Sequence, residues 1–460
     1  MNLTWVNHAS YILEHNGIRL ITDPWLFGSA FDNGWNLLCK TQFTIDDFAT
    51  ISHIWFSHEH PDHFSPPILL KIPESIRSKI KVLFQATKDR RVAKFCEKLG
   101  FQVIELPNRE PVKLSDDITI TCGAVRPIDS WLLVETSEVR ILNLNDCIVE
   151  NDAKTSSIYR SVGKVDMLLT QFGYAQWVGN PDEVELRNQS KLEKLNRIKI
   201  QADAFQPKWI CPFASFVYFS HQENAYLSDR VATIREAYHF VKQHTSSDPV
   251  VFYPGHKWEI GTPWNSEPAL KKYETDYNRP DKPLSVANEE VDISVLQSLA
   301  TDYIQNAYSK GSPTAIRIWE HRLVRNLKER LELKIALFDS NVALTFDWQK
   351  GLRIEERNHS EPDITLSSGS LAYILQHDWG FGTVRINGRY RASTSGRRKF
   401  GMIFPFGTLH SVGKAMNWRY VFTQYESLIL KKISGHHAIE TEEEPSFLGL
   451  WRHTQVETGQ

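Results

Sequence analysis

The chain has 460 residues, 41% of them hydrophobic and 23% charged, and its 53 Lys+Arg against 55 Asp+Glu leave a formal net charge of -2. That length implies two or three domains. The near-neutral balance excludes the basic footprint of a protein whose main partner is nucleic acid or an anionic membrane. The 14 Trp and 24 Phe supply a large core and aromatic-lined pockets. Cys39, Cys96, Cys122, Cys147 and Cys211 form no C-x-x-C pair and are odd in number, which suits a reducing compartment better than a disulfide framework. The start, Met1 to His8, lacks the basic opening and apolar core of a signal peptide. No apolar run reaches the roughly 18 residues of a membrane-spanning helix. A soluble, cytoplasmic protein with no membrane span is expected.

Taken in chain order, the first 60 residues read as short strands. Ser10–Glu14 and Gly17–Thr22 flank a His15-Asn16-Gly17 turn, a strong hairpin signal. Ile51–Ser57 is an apolar, β-branched strand that stops at a His/Asp cluster, and Pro66-Pro67 opens a helical turn over Ile68–Lys71. Lys81–Gln85 reads as a strand and Arg90–Leu99 as an amphipathic helix. Ile118–Cys122, Trp131–Glu135, Arg140–Leu144, Lys164–Gln171 and Lys208–Pro212 read as further strands, with a charged helix over Pro181–Ala202. Such alternation implies a layered α/β fold. From Glu259 to about Glu290, Pro263, Pro268, Pro280 and Pro283 stand among charged residues, which reads as a linker or covering segment over 261–290. From Val291 a helical stretch leads into Leu333–Trp348 and Pro362–Arg391. The domain division expected is therefore 1–260, 261–290 and a separate α+β domain over 291–460.

Chemistry is concentrated in Ser57-His58-Glu59-His60-Pro61-Asp62-His63, an H-x-H-x-D-H pattern just past a strand end. Three imidazoles and a carboxylate packed so closely would repel one another when protonated. A divalent metal removes the conflict by binding neutral imidazole and carboxylate. The alternate residues His58 and His60 can face one ion, while Asp62 and His63 turn toward a second.

This motif resembles the metallo-β-lactamase superfamily, which implies an αββα sandwich over residues 1–260 and a dinuclear metal site. The resemblance implies a bridging carboxylate at the end of a later strand, and Asp146 in Asn143-Leu144-Asn145-Asp146-Cys147 fits that position. Asp23-Pro24-Trp25-Leu26-Phe27-Gly28, Gly34-Trp35-Asn36-Leu37-Leu38, Asp129-Ser130-Trp131-Leu132-Leu133-Val134-Glu135 and Cys211-Pro212-Phe213-Ala214, followed by Ser220-His221, are more specific. They resemble the metallo-β-lactamase part of the CMP-N-acetylneuraminate hydroxylases over roughly residues 5–260. Those hydroxylases carry an N-terminal Rieske iron–sulfur domain. This chain has no Cys-x-His pair, so an external electron donor is expected.

Hydrolases of the superfamily place a third His on the first metal, yet Gly123 to Asp129 contains no His. The resemblance therefore assigns Asp129 to that ion beside His58 and His60. Two His and a carboxylate with open positions suit non-haem iron. A dinuclear-iron β-hydroxylase of chloramphenicol assembly is similar in having a carboxylate there. The last ligand of the second ion is expected at His221 or His256. His8 resembles a histidine near the first strand of many family members, one that lines the pocket or hydrogen-bonds to a ligand, and Asp23 reads as a structural turn residue near the metals. The cofactors expected are two divalent ions, iron in preference to zinc or manganese. The function expected is an O2-dependent diiron hydroxylase acting on a small organic substrate. The same ligands serve a hydrolase of esters, amides or phosphodiesters, and an inactive lactamase-like binding protein is the third possibility. Residues 333–435 resemble a sterol-carrier-protein-2-like domain through Val342–Phe346, Pro362-Asp363-Ile364-Thr365-Leu366 and Gly382–Arg391; a generic α+β cover is the alternative.

Overall fold

A computed structural model describes residues 1–125, 128–279, 282–286, 290–320, 331–355, 361–404, 409, 416–418 and 422. The chain divides into two compact units, one made of 1–175, 188–220 and 228–283, the other of 176–187, 221–227 and 284–460.

The first unit opens with β1 (Asn2–Asn7), β2 (Ser10–His15) and β3 (Ile18–Thr22). The expected turn joins β2 to β3: Asn16 and Gly17 both take positive φ, 45° and 80°, as a two-residue hairpin turn requires. Next come β4 (Trp35–Leu37), β5 (His53–Trp55), α1 (Pro66–Lys71), α2 (Glu74–Arg77), β6 (Lys81–Gln85), α3 (Arg91–Lys98) and β7 (Gln102–Leu106). The strand expected over Ile51–Ser57 is shorter than its apolar run, because the backbone leaves the sheet to begin the His/Asp loop. Then follow β8 (Pro111–Lys113), β9 (Thr119–Val125), β10 (Asp129–Glu135), β11 (Arg140–Asn145), α4 (Asp152–Val162), β12 (Met167–Gln171), α5 (Val184–Phe205) and β13 (Trp209–Phe213). The unit closes with β14 (Val217–Phe219), α6 (Ile234–His244), β15 (Asp248–Pro249), β16 (Lys257–Glu259) and α7 (Glu267–Tyr277).

Two seven-stranded sheets result, ordered β16-β1-β2-β3-β5-β6-β7 and β15-β13-β12-β11-β10-β9-β8. Side chains on a strand alternate between faces, and the first sheet shows it. Tyr11, Leu13, Leu20, Trp55 and Leu83 join one core cluster with Trp131, Leu133 and Leu142 of the second sheet. Their neighbours Ile12, Ile21, Ile54, Val82 and Phe84 join another with Ile68 and Leu69 of α1 and Val92 and Cys96 of α3. The second sheet is covered outside by Ile158 of α4, Leu195, Ile198 and Ala202 of α5 and Val241 of α6. This is the αββα sandwich. Trp131 pairs across β9 and β10 with Gly123, where any Cβ would collide with the indole ring.

Residues 261–279 fall in the span expected as a linker or covering segment. They belong to the first unit, and α7 buries Ala269, Leu270 and Tyr273 in its core. Pro268 falls in the first turn of α7, where a missing N–H removes no helical hydrogen bond, so proline here starts a helix.

The second unit holds α8 (Ile293–Lys310), α9 (Pro313–Glu320), β17 (Leu333–Leu337), β18 (Ala343–Asp347), β19 (Gly351–Ile354), β20 (Ile364–Leu366), α10 (Ser368–Gln376), α11 (Gly380–Asn387), β21 (Tyr390–Ala392) and α12 (Thr394–Ile403). Its sheet runs β19-β18-β17-β20-β21, an α+β arrangement whose core includes Phe346, Trp348, Phe381, Phe400 and Phe404. Parts of the expected C-terminal domain, notably 423–460, lie outside the described residues. Among the described residues no helix is long and apolar enough to cross a membrane.

Candidate metal centre

Strand direction gathers the candidate ligands at one edge of the sandwich. β1 and β3 both run antiparallel to β2, and β3 runs parallel to β5. Their C-terminal ends therefore share a side and carry His8, Asp23 and the Ser57–His63 loop. In the second sheet β11 and β12 are parallel and β10 is antiparallel to β11, so the start of β10 (Asp129) lies with the ends of β11 (Asp146) and β12 (Gln171). The backbone is unusual along this edge: His8, Asp23, Asn145 and Ala214 take φ of 26°, 37°, 47° and 51°. Such residues cost of order 1–3 kcal/mol each and persist where surrounding contacts over-determine them; the Ala214 N–H, for instance, donates to the His8 carbonyl at 2.9 Å.

Asp23 holds the loop in place. Its Oδ1 accepts from the Ser57 backbone N–H (2.8 Å), and its Oδ2 accepts from Ser57 Oγ (2.8 Å) and Asn145 Nδ2 (2.6 Å). His63 Nδ1 lies 3.1 Å from the same Oδ2. An ionised carboxylate only accepts, so Nδ1 of His63 carries the proton and Nε2 presents its lone pair. Ser57 Oγ, its single proton given to Asp23, accepts from His58 Nδ1 at 2.9 Å, which likewise frees Nε2 of His58. That nitrogen faces His60 Nδ1 at 2.9 Å.

The freed atoms converge. His63 Nε2 is 3.3 Å from Asp62 Oδ2 and 3.4 Å from Asp146 Oδ2, and His8 Nε2 is 3.5 Å from Asp62 Oδ2. His63 Nε2, Asp62 Oδ1 and both His8 ring nitrogens are buried without a hydrogen-bond partner, a costly state unless something satisfies them. Burial, with His63 and His60 nearby, holds the His58 imidazole well below the usual range, hence neutral. Burial also pushes the His63 imidazole down, but Asp62, Asp146 and Asp23 together hold it well above that range. Burial opposes ionisation of Asp62, yet His63 and His8 keep its carboxyl well below the usual value. Burial and then Asp146 push the Asp129 carboxyl up to about 7. Imidazoles beside carboxylates, with orphaned lone-pair atoms aimed at a common space, fit a divalent cation.

Among the described residues, two sets of atoms that could hold a metal ion lie within 4.8 Å of one another inside each set: His8, Asp62 and His63, and His58, His63 and Asp146. Each is two imidazoles and one carboxylate. His63 has one free nitrogen, so both groups cannot be filled at once without help from His60 or Asp129.

The structure thus brings together His58, His60, Asp62, His63 and Asp146. Asp129 Oδ1 lies 3.8 Å from His58 Nδ1, the nitrogen turned toward Ser57. His256 keeps different company: its Nδ1 accepts from the Tyr253 N–H (3.3 Å) and its ring packs on Trp264 at 5.7 Å. It joins neither group among the described residues. His221 belongs to the second unit, where its Nδ1 accepts from the Glu223 N–H at 3.2 Å. Sequence reasoning treated His8 as a pocket residue and Asp23 as a turn residue. The structure places His8 with Asp62 and His63 in a set that could hold a metal ion and makes Asp23 the partner that orients His63, a common role for a carboxylate behind a histidine that binds metal. Asn145 and Gln171 gave no sequence signal.

Residues 2–189 match the family model of the beta-lactamase superfamily domain. Cytidine monophosphate-N-acetylneuraminic acid hydroxylase of Danio rerio is 27% identical over 249 residues, covering 50% of this chain and 40% of that protein. The Mus musculus protein is 27% identical over 246 residues, covering 50% and 41%. A Homo sapiens protein named as the inactive form is 26% identical over 247 residues, covering 50% and 48%. The chain spans less than half the length of these relatives. Among solved structures, the diiron β-hydroxylase CmlA from Streptomyces venezuelae superimposes with TM-score 0.43 at 16% identity, over 56% of this chain and 54% of that one. A possible metal-dependent hydrolase from Veillonella parvula gives TM-score 0.43 at 14% identity, over 56% and 99%. The sandwich, its strand-end histidine loop and the family match together identify residues 2–189 as a beta-lactamase superfamily domain.

Proposed function

We propose that His58, His60, Asp62, His63, Asp129 and Asp146 hold two divalent ions, and that the protein is an O2-dependent, iron-containing hydroxylase of a small organic substrate. The observation that carries the reading is that both groups of converging ligand atoms contain two imidazoles and one carboxylate, the set typical of non-haem iron sites that activate oxygen. Similarity to the hydroxylases over half of this chain supports the same reading. Bound iron would supply the oxidising chemistry, with electrons from an external donor.

The chain's own residues prepare for this. Asp23 and Ser57 fix the two histidine tautomers that leave Nε2 free. Burial keeps His58 neutral, the form in which it can ligate. Asp62, Asp129 and Asp146 supply the anionic charge that balances a cation of higher oxidation state. His8, behind Asp62, completes the set of side chains on that side. A sugar nucleotide is one substrate class consistent with the relatives' names.

The alternative is a metal-dependent hydrolase, favoured by the same donor set, since two His and a carboxylate also hold catalytic zinc. Metal analysis of protein grown in iron-supplemented medium, with assays in air and under anaerobic conditions, separates the two. The hydroxylase reading expects iron and a strict need for O2 and a reductant. Two equivalents of zinc, with iron unable to support turnover, would sink it. Folded protein that binds no metal would favour the third possibility, a binding protein without catalysis.

A further inference from the structure

Asp146 is held from outside the cluster as well as within it. The parallel pairing of β11 and β12, with Asn145 opposite Thr170, sets Gln171 at the end of one strand beside Asp146 just past the end of the other. Gln171 Nε2 donates to Asp146 Oδ1 at 3.0 Å. Lys194, on α5, donates from Nζ to Gln171 Oε1 at 2.5 Å. A second contact steadies the helix, since Gln201 accepts from Thr170 Oγ1 (2.6 Å) and donates to the Val149 carbonyl (3.0 Å).

An isolated glutamine could present either end to Asp146. Here its direction follows from its two contacts, since Lys194 Nζ lies at Oε1 and Asp146 Oδ1 lies at Nε2. The bond fixes Oδ1 and leaves Oδ2 aimed at the space where it lies 3.4 Å from His63 Nε2. We infer that Gln171 and Lys194 are positioning residues of this centre, a directional hydrogen-bond relay that sets the Asp146 carboxylate for metal binding. The inference rests on the proposed metal centre. It differs from a general counter-charge effect of Lys194, because the relay works only while Gln171 links its two ends.

The test is a double-mutant cycle on the full chain, using Co2+ as the probe. Apo protein is titrated for affinity against a competing chelator and for the visible spectrum of bound Co2+. The relay predicts that Lys194→Met and Gln171→Met each weaken binding about 10-fold, the scale of a lost outer partner, and change the spectrum. The double variant should be no weaker than either single one, since one broken link already disables the chain. Lys191→Met removes a nearby positive charge from the same helix and should leave affinity unchanged. Apo thermal unfolding checks that each variant folds. Should Gln171→Met not fold, Gln171→Leu, which also removes both ends of the link without adding charge, must show the same loss. Wild type binding Co2+ with both single variants unchanged overturns the relay alone, as does a double variant about 100-fold weaker, the additive result of two independent effects. Wild type that binds no Co2+ overturns the metal centre and the relay with it.

Discussion

The two ends of the His/Asp loop carry the same residue type in opposite states. His58 and His63 are both fully buried, both give Nδ1 to an outer partner and both free Nε2. At the His58 end the partner is the neutral hydroxyl of Ser57, and burial together with His63 and His60 outweighs the pull of Asp62, so the ring is held neutral. At the His63 end the partner is the Asp23 carboxylate, with Asp62 and Asp146 in front, and the ring is drawn toward protonation. Burial alone does not decide a histidine's state; the group behind it and the charges before it do. A cation in front of His63 takes the place of that proton.

The largest effect is expected where this contrast is broken at its source. Asp23→Ala strips the partner from Ser57 N, Ser57 Oγ, Asn145 Nδ2 and His63 Nδ1 together. It should destabilise the apo protein by about 3–5 kcal/mol, as loss of one member of a buried charged network does, and abolish high-affinity metal binding. Urea unfolding and metal content measure both, and Asp23→Asn should fall between. Asp129→Ala sharpens the His58 end. If its carboxylate completes the first site, metal occupancy drops toward one equivalent and turnover is lost with folding intact, and Asp129→His recovers occupancy with a preference for zinc. Two full equivalents in Asp129→Ala would remove Asp129 from the ligand set.

His53, at the start of the strand that feeds the loop, is the control without a carboxylate. Burial, then Lys81, lowers its imidazole to about 4, while Ser52 Oγ is 2.9 Å from its Nδ1. The unfolded chain binds this proton more readily, so the stability His53 confers is present above its ordinary value near 6.5. It is lost as pH falls from there toward 4, by about 2 kcal/mol between pH 7 and pH 5. His53→Phe should flatten that part of the stability profile, and an unchanged slope in chemical denaturation would count against it. The smallest effect is expected from Ser57→Ala, about 1 kcal/mol for a neutral hydrogen bond, with a modest loss of metal affinity confined to the His58 end.

Much of this was legible in the sequence where a residue's signal is local. The Asn16-Gly17 turn, the Lys81–Gln85 strand and the crowding of His58, His60, Asp62 and His63 each depend on near neighbours. The α7 helix was not legible, because Pro263, Pro268, Pro280 and Pro283 read as breakers, and only the structure shows Pro268 in a first turn. Nor were the orienting roles of Asp23 and Gln171, since each depends on a partner brought close by strand pairing between distant segments. His8 carries a local signal, but its approach to Asp62 follows from the shared edge of β1 and β5.

Anomalous-difference maps recorded on both sides of the iron and zinc absorption edges test the account at its centre. The account predicts two peaks about 3.5–4 Å apart, bounded by His58, His60, Asp62, His63 and Asp146, with the iron-edge signal dominant in protein grown on iron. A single peak, or peaks away from these side chains in metal-replete crystals, would contradict it.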